Sequence, residues 1–190
     1  MYKELFLIRH APSIPAGFLY GRTDADIAAP TPAQISYLSK AIEPCAVFLS
    51  SPAKRALKSF QAVCPDKVLS REIPEMWEQS FGDWEGMKYA DLPDIGSKSG
   101  AELAEFRPPN GESFADLCAR VQPAIQRLLL DEPAERMALF AHAGVIRAVL
   151  ALALGDQIAA LKFEIGHLSL THIRALPKGQ FSIVGVNKTG

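Results

Sequence analysis

Residues 5–13 read "LFLIRHAPS". Four apolar residues run directly into Arg9-His10, and the chain then meets Pro12 and Pro15. A short apolar run without alternation fits a strand covered on both faces, as in a parallel sheet. What it delivers at its end is a guanidinium and an imidazole, side by side, where the chain must turn. Two further runs have the same form. "CAVFLS" (45–50) leads into Ser51, and "MALFAH" (137–142) ends on His142.

Helical patterns lie between these runs. "TPAQISYLSKAI" offers Thr31 as N-cap with Pro32 at the first helical position, and "SPAKRALKSFQAV" repeats that grammar with Ser51 and Pro52. "SFADLCARVQPAIQRLLL" starts from Ser113 and sets Phe114, Leu117, Val121, Ile125 and Leu128 at near-helical spacing. Pro123 within it predicts a kink or an early break. "GVIRAVLALAL" runs to Gly155, a natural C-cap. Near the C-terminus "LSLTHIRAL" and "QFSIVGVN", separated by "PKG", read as a hairpin. This alternation predicts an α/β fold, mainly a parallel sheet with an antiparallel element near the C-terminus. A single domain spans 1–190, with a loop-rich insert at about 80–112 that flanks the site.

Composition narrows the function classes. Of 190 residues, 48% are apolar and 22% charged, enough for an ordinary core. Twenty basic and 21 acidic residues give a net charge of −1, which argues against nucleic acid or an anionic membrane as partner. Cys45, Cys64 and Cys118 are odd in number and lack CxxC spacing, as expected of thiols in a reducing compartment. No segment reads as a signal peptide or a membrane span, so the expected location is cytoplasmic. An exposed aromatic loop could make a homodimer contact.

In an open parallel sheet, ligands bind beyond the carboxyl ends of the strands. Three strand ends here carry Arg9 and His10, Ser51 with Arg55 one helical turn later, and His142 followed by Ala143-Gly144. Two histidines and two arginines on one rim describe an anion site. Arg55 on its helix could simply be solvated, though a place near a helix N-terminus is poor for a cation, and Arg147, also in a first helical turn, calls for the same caution. His167 and His172 match no such position and read as structural.

Taken in order, "LFLIRHAP", "FLSSPAKRALKSF", "EQSFGDWEGM", "PNGESFADLCARV" and "FAHAGVIRAVL" resemble the motifs of the histidine phosphatase superfamily, the phosphoglycerate-mutase-like group. The resemblance implies a three-layer α/β/α sandwich and a phosphomonoesterase that needs no metal or other cofactor. In that reading His10 is the nucleophile that becomes phosphorylated, and Arg9, Arg55 and His142 hold the phosphoryl oxygens. Glu78, fixed by the pattern around "GDWEG" against its neighbours Glu75 and Glu85, donates the proton to the leaving group. His142 also counts among the catalytic residues.

The chemistry suits these residue types. A neutral imidazole attacks phosphorus, and adjacent arginines favour the neutral form while clamping phosphate in fork geometry. Charge on the equatorial oxygens of the transition state calls for donors held in place beforehand. A carboxyl set against a bound phosphate dianion favours its protonated form, which fits Glu78 to donate.

Departures from the family pattern are Ala11 for a glycine after the histidine, Ala16 for an asparagine, and Ser59 where threonine is common. "LYGRTDADI" resembles the α-ribazole phosphatase branch and makes α-ribazole 5′-phosphate the candidate substrate, with Arg22, Ser51 and Ala143 as candidate substrate contacts. Arg22 could instead pair with Asp24 to shape a turn. The alternatives are phosphoglycerate-mutase-type transfer, disfavoured by the short chain, and a non-catalytic phosphate-binding module. A zinc hydrolase is disfavoured by the absence of a close ligand pair and by arginines that would repel a cation.

Overall fold

A computed structural model describes residues 2–190. The first run forms β1, Lys3–Arg9, which lies inside a six-stranded sheet. The strands that follow in the sequence are β2, Ser13–Ile14, β3, Asp26–Ile27, β4, Val47–Ser50, and β5, Arg71–Glu72. They are completed by β6, Arg136–Ala141, β7, Leu170–Leu176, and β8, Gln180–Lys188. The sheet order is β5-β4-β6-β1-β7-β8, while β2 and β3 pair separately. β1, β4, β5 and β6 are parallel; β7 runs antiparallel to β1, and β8 antiparallel to β7, around the turn Pro177–Gly179.

The lack of alternation in "LFLI" has a direct cause. Leu5 and Leu7 join one core with Leu49, Met137 and Leu139, whereas Phe6 and Ile8 join another with Phe48, Ala138 and Phe140. Each face has its own helices. On the first lie α4, Phe114–Asp131, and α5, Ala143–Leu154; on the second lie α1, Pro32–Ile42, and α2, Lys54–Val63. The result is a three-layer α/β/α sandwich. Full burial of each large aliphatic or aromatic side chain contributes about 1.5–3 kcal/mol, so strands facing two cores stabilise the sheet twice over.

Local signals behave as their chemistry dictates, with three corrections. Thr31 and Ser113 both cap through reciprocal boxes, with Gln34 and Asp116, and Gly155 ends α5 at φ 67°. Ser51, however, is not the cap: α2 starts at Lys54 after Ala53, with no side-chain cap, and the Ser51 hydroxyl instead meets His142 Nε2 and accepts from the Ala53 amide before the helix begins. Pro123 does not break α4, which runs on to Asp131. Pro123 sits on the exposed side, and burial of Leu117, Val121, Ile125 and Leu128 outweighs its missing N–H. The 80–112 segment is not wholly irregular, since it holds the short helix α3, Gly100–Glu105, capped by a Ser99–Glu102 box. The last of the helices is α6, Gln157–Ala160. Among the described residues no helix is long and apolar enough to cross a membrane. The three cysteines are free and buried, and burial pushes the Cys45 and Cys118 thiols up to about 12.

Candidate active site

A cavity of about 290 Å³ opens at the carboxyl ends of β1 and β6, lined by Arg9, His10, Arg55, Glu78, Arg147 and His167 among others. His10 is held from several sides. Its amide donates to the Ala141 carbonyl at 3.0 Å, tying it to the end of β6. The next amide, Ala11 N–H, donates to Ser59 Oγ at 2.8 Å, and that hydroxyl donates to the Arg55 carbonyl at 2.7 Å. The residue after His10 and the start of α2 are thus joined by one serine.

The ring of His10 is fixed in tautomer. Nδ1 lies 2.6 Å from the Ala11 carbonyl oxygen, which can only accept, so Nδ1 carries the proton and Nε2 keeps its lone pair. Burial, followed by the charges of Arg55 and Arg9, holds the imidazole well below its ordinary range of 6.5. A neutral ring with a free Nε2 is the nucleophilic form.

The guanidinium groups are anchored by backbone carbonyls, which leaves part of each fork free. Arg9 donates from Nη1 to Ile165 O at 2.6 Å, and its buried Nε has no partner. Arg55, almost wholly buried, donates to Thr23 O at 3.0 Å and Gly21 O at 2.5 Å. Burial lowers both arginines below their ordinary range, with Glu78 acting in the opposite direction. Such a group remains charged in any accessible range, and a buried and a half-buried cation side by side ask for an anion.

His142 lies one layer deeper. It is fully buried and does not line the cavity; its ring meets His10 edge-on with centroids 5.1 Å apart. Nε2 is 2.8 Å from Ser51 Oγ, while Nδ1 is buried without a partner. Burial first, then Arg55, keeps it well below 6.5. Ser51, read from the sequence as a substrate contact, is itself fully buried and positions His142 instead.

Glu78 does reach the cavity, and its rivals do not. Glu75 is paired with Arg127 on the surface. Glu85 accepts from the amides of Arg22, Thr23 and Phe81 and serves as a loop tie. Glu78 accepts from Gly144 N–H at 3.2 Å, at the N-terminus of α5. A Cβ on Gly144 would lie 2.4 Å from Glu78 Oε1, so only glycine allows this approach. Arg120 holds the Glu78 segment by donating to the carbonyls of Glu75, Trp77 and Glu78, at 2.6–2.8 Å, and to the Glu112 carboxylate.

Of the remaining sequence candidates, Ala143 lines the cavity and Arg22 does not. Arg22 pairs with Glu112 at 2.7 Å, and Asp24 accepts from the Lys54 amide rather than from Arg22. Ala16 is on the wall and brings no polar group there.

His167 and Arg147 line the cavity although sequence reasoning gave neither a role. Topology holds the signal for His167. Because β7 is antiparallel to β1, its first residues must lie beside the last residues of β1, and Leu168 N–H donates to Arg9 O at 3.0 Å. His167 Nδ1 then meets His10 O at 3.1 Å, and burial brings this ring to about 4. Leu168 takes φ 54°, a left-handed conformation rare for a bulky residue, to turn the chain at this point. His172 is indeed structural, stacked on Phe6 and bonded to Glu4.

Residues 5–189 match the model of the histidine phosphatase superfamily (branch 1). A bifunctional protein of Mycobacterium tuberculosis is 28% identical over 155 residues, covering 76% of this chain and 41% of its own length. The chain therefore spans less than half of that relative. The adenosylcobalamin/alpha-ribazole phosphatase of Salmonella typhimurium is 28% identical over 177 residues, with 83% of each chain covered. A putative alpha-ribazole-5′-P phosphatase from Escherichia coli shares the fold at a TM-score of 0.82 and 24% identity, covering 98% of this chain and 96% of that one.

Proposed function

The chain belongs to the histidine phosphatase superfamily, and from that premise we propose that it hydrolyses monoesters of phosphate through a phosphohistidine on His10. The observation that carries this reading is the His10 tautomer: Nδ1–H committed to Ala11 O, Nε2 free, beside the buried guanidinium of Arg55 and the half-buried one of Arg9.

The reaction proceeds in two displacements. The Nε2 lone pair attacks phosphorus as the bond from phosphorus to the ester oxygen breaks, and the Glu78 carboxyl gives its proton to the departing oxygen. Water then attacks the phosphorus of phospho-His10, gives its proton to the Glu78 carboxylate, and releases inorganic phosphate with Nε2 restored. Arg9 and Arg55 hold the equatorial oxygens, where charge gathers in the transition state. His142 supports His10 from beneath, its ring edge-on to the imidazole and its Nε2 held against Ser51. These cations fill the role a metal serves in other phosphatases, so the reaction proceeds in chelator.

The substrate is a small phosphate ester. The "LYGRTDADI" loop suggests α-ribazole 5′-phosphate; its Leu19, Tyr20 and Gly21 line the cavity, while Arg22 is paired with Glu112 and does not. This ester belongs in the assay panel beside phosphoglycerates and p-nitrophenyl phosphate. The decisive comparison is wild type against His10→Ala in EDTA. Wild type should release phosphate and show acid-labile labelling of the protein, and His10→Ala should lose both. Turnover retained in the variant would reject the mechanism.

A further inference from the structure

We propose that Arg147 binds a second anionic group of the substrate, a carboxylate on the alcohol portion of the phosphate ester. This rests on the phosphatase reading and names the class of ester the cavity favours.

Position gives the first argument. α5 places Ala143, Gly144 and Arg147 on the cavity wall; Arg147 follows the other two by four and three residues, the spacings that bring side chains onto one helix face. Arg147 is tethered, not free to wander: its Nε donates to Phe163 O at 2.9 Å. Its terminal nitrogens have no protein partner, and it forms no ion pair, among the described residues. A pinned guanidinium with an open fork matches a carboxylate.

Charge gives the second. Among the described residues, the cavity wall carries Arg9, Arg55 and Arg147 against one carboxylate, Glu78. His10 and His167 are neutral, for burial holds both below 6.5. A phosphate dianion balances Arg9 and Arg55. With Glu78 protonated to act as acid, one positive charge is left, and it belongs to Arg147. A carboxylate on the leaving alcohol cancels that charge. The cavity's 290 Å³ sits at the small end of ligand pockets and fits a short hydroxy acid better than a nucleotide-sized alcohol.

The test uses substrate pairs that differ in this one group: O-phosphoserine against phosphoethanolamine, and 3-phosphoglycerate against glycerol 3-phosphate. Wild type should prefer the carboxylate member of each pair in kcat/KM by about 10-fold or more, as expected of a charge-assisted hydrogen bond. Arg147→Gln should collapse that ratio toward one, chiefly through KM, and Arg147→Lys should restore part of it. Thermal unfolding of each variant separates this from loss of the Phe163 tether. Equal losses on both members, or no wild-type preference, overturn the proposal. Preference for 1,3-propanediol bisphosphate over both carboxylate esters also overturns it and assigns the fork to a second phosphate. Calorimetric binding of phosphoserine and phosphoethanolamine to wild type and Arg147→Gln decides the subsite without turnover. Absence of turnover on every ester, p-nitrophenyl phosphate included, sinks only the phosphatase reading.

Discussion

At the scale of residues, the proposed mechanism divides the work between Glu78 and His10 by what each backbone contact leaves free. The Ala11 carbonyl accepts from Nδ1–H of His10 and leaves the Nε2 lone pair uncommitted, while Gly144 N–H steadies one oxygen of Glu78. If Glu78 protonates the leaving oxygen, its importance must scale with how badly that oxygen needs a proton. Glu78→Gln should therefore cut kcat on alkyl phosphates by roughly 10²–10⁴-fold, the usual worth of general acid catalysis. On p-nitrophenyl phosphate, whose leaving group departs as a stable anion, the loss should be far smaller. Equal losses on both would remove Glu78 from the role. Sequence alone placed Arg9 and His10 at the end of a strand covered on both faces, which follows from run length and lack of alternation. His167 escaped it because its place depends on β7 being antiparallel to β1, a pairing no local pattern specifies.

At the scale of elements, the segment from Glu75 to Gln79 has no regular structure beyond one tight turn at Pro74–Met76, so its position must come from side chains. Arg120, projecting from α4, supplies it with three carbonyl contacts, and Glu112 both fixes Arg120 and accepts from Ser80 N–H at 2.9 Å. Arg120→Ala should release this segment without touching His10. We expect kcat to fall by about 10-fold or more, since loss of orientation costs heavily even far from the chemistry. The phosphohistidine labelling seen with an activated ester should persist. Loss of labelling together with kcat would mean that Arg120 supports the nucleophile as well. Capping boxes at Thr31 and Ser113 were legible because they are local, and the same signal, Ser99 to Glu102, marked α3 inside a segment read as loop. Ser51 misled for the opposite reason: a serine before proline looks like a cap, but a buried histidine at the end of the neighbouring strand β6 meets its hydroxyl.

At the scale of the whole molecule, the sequence-derived net charge of −1 conceals a separation of charge, with three arginines gathered at one cavity. All four histidines lie below their ordinary 6.5, each chiefly through burial. A folded-state value below the unfolded one means the unfolded chain binds more protons as acid is added. The contribution of the histidines to stability is thus complete above 6.5 and declines as pH falls, until the folded rings protonate, near 4 for His167. The carboxylates act in a lower window. Glu4 is raised by burial, but pairing with Arg136 and Arg174 carries it below 4.5; Glu112 is likewise raised by burial and brought down by Arg120. Their contributions persist through pH 5 and fade only below 4.5. Urea unfolding should show a lower midpoint at pH 5 than at pH 7.5, with unchanged slope, and a second decline below 4.5. Inorganic phosphate should raise the midpoint at both values, because an anion between Arg9 and Arg55 stabilises the fold it binds. A midpoint flat from pH 7 to 5 would mean that these rings are not held neutral. The free Nε2 on which the mechanism depends would then no longer follow from burial.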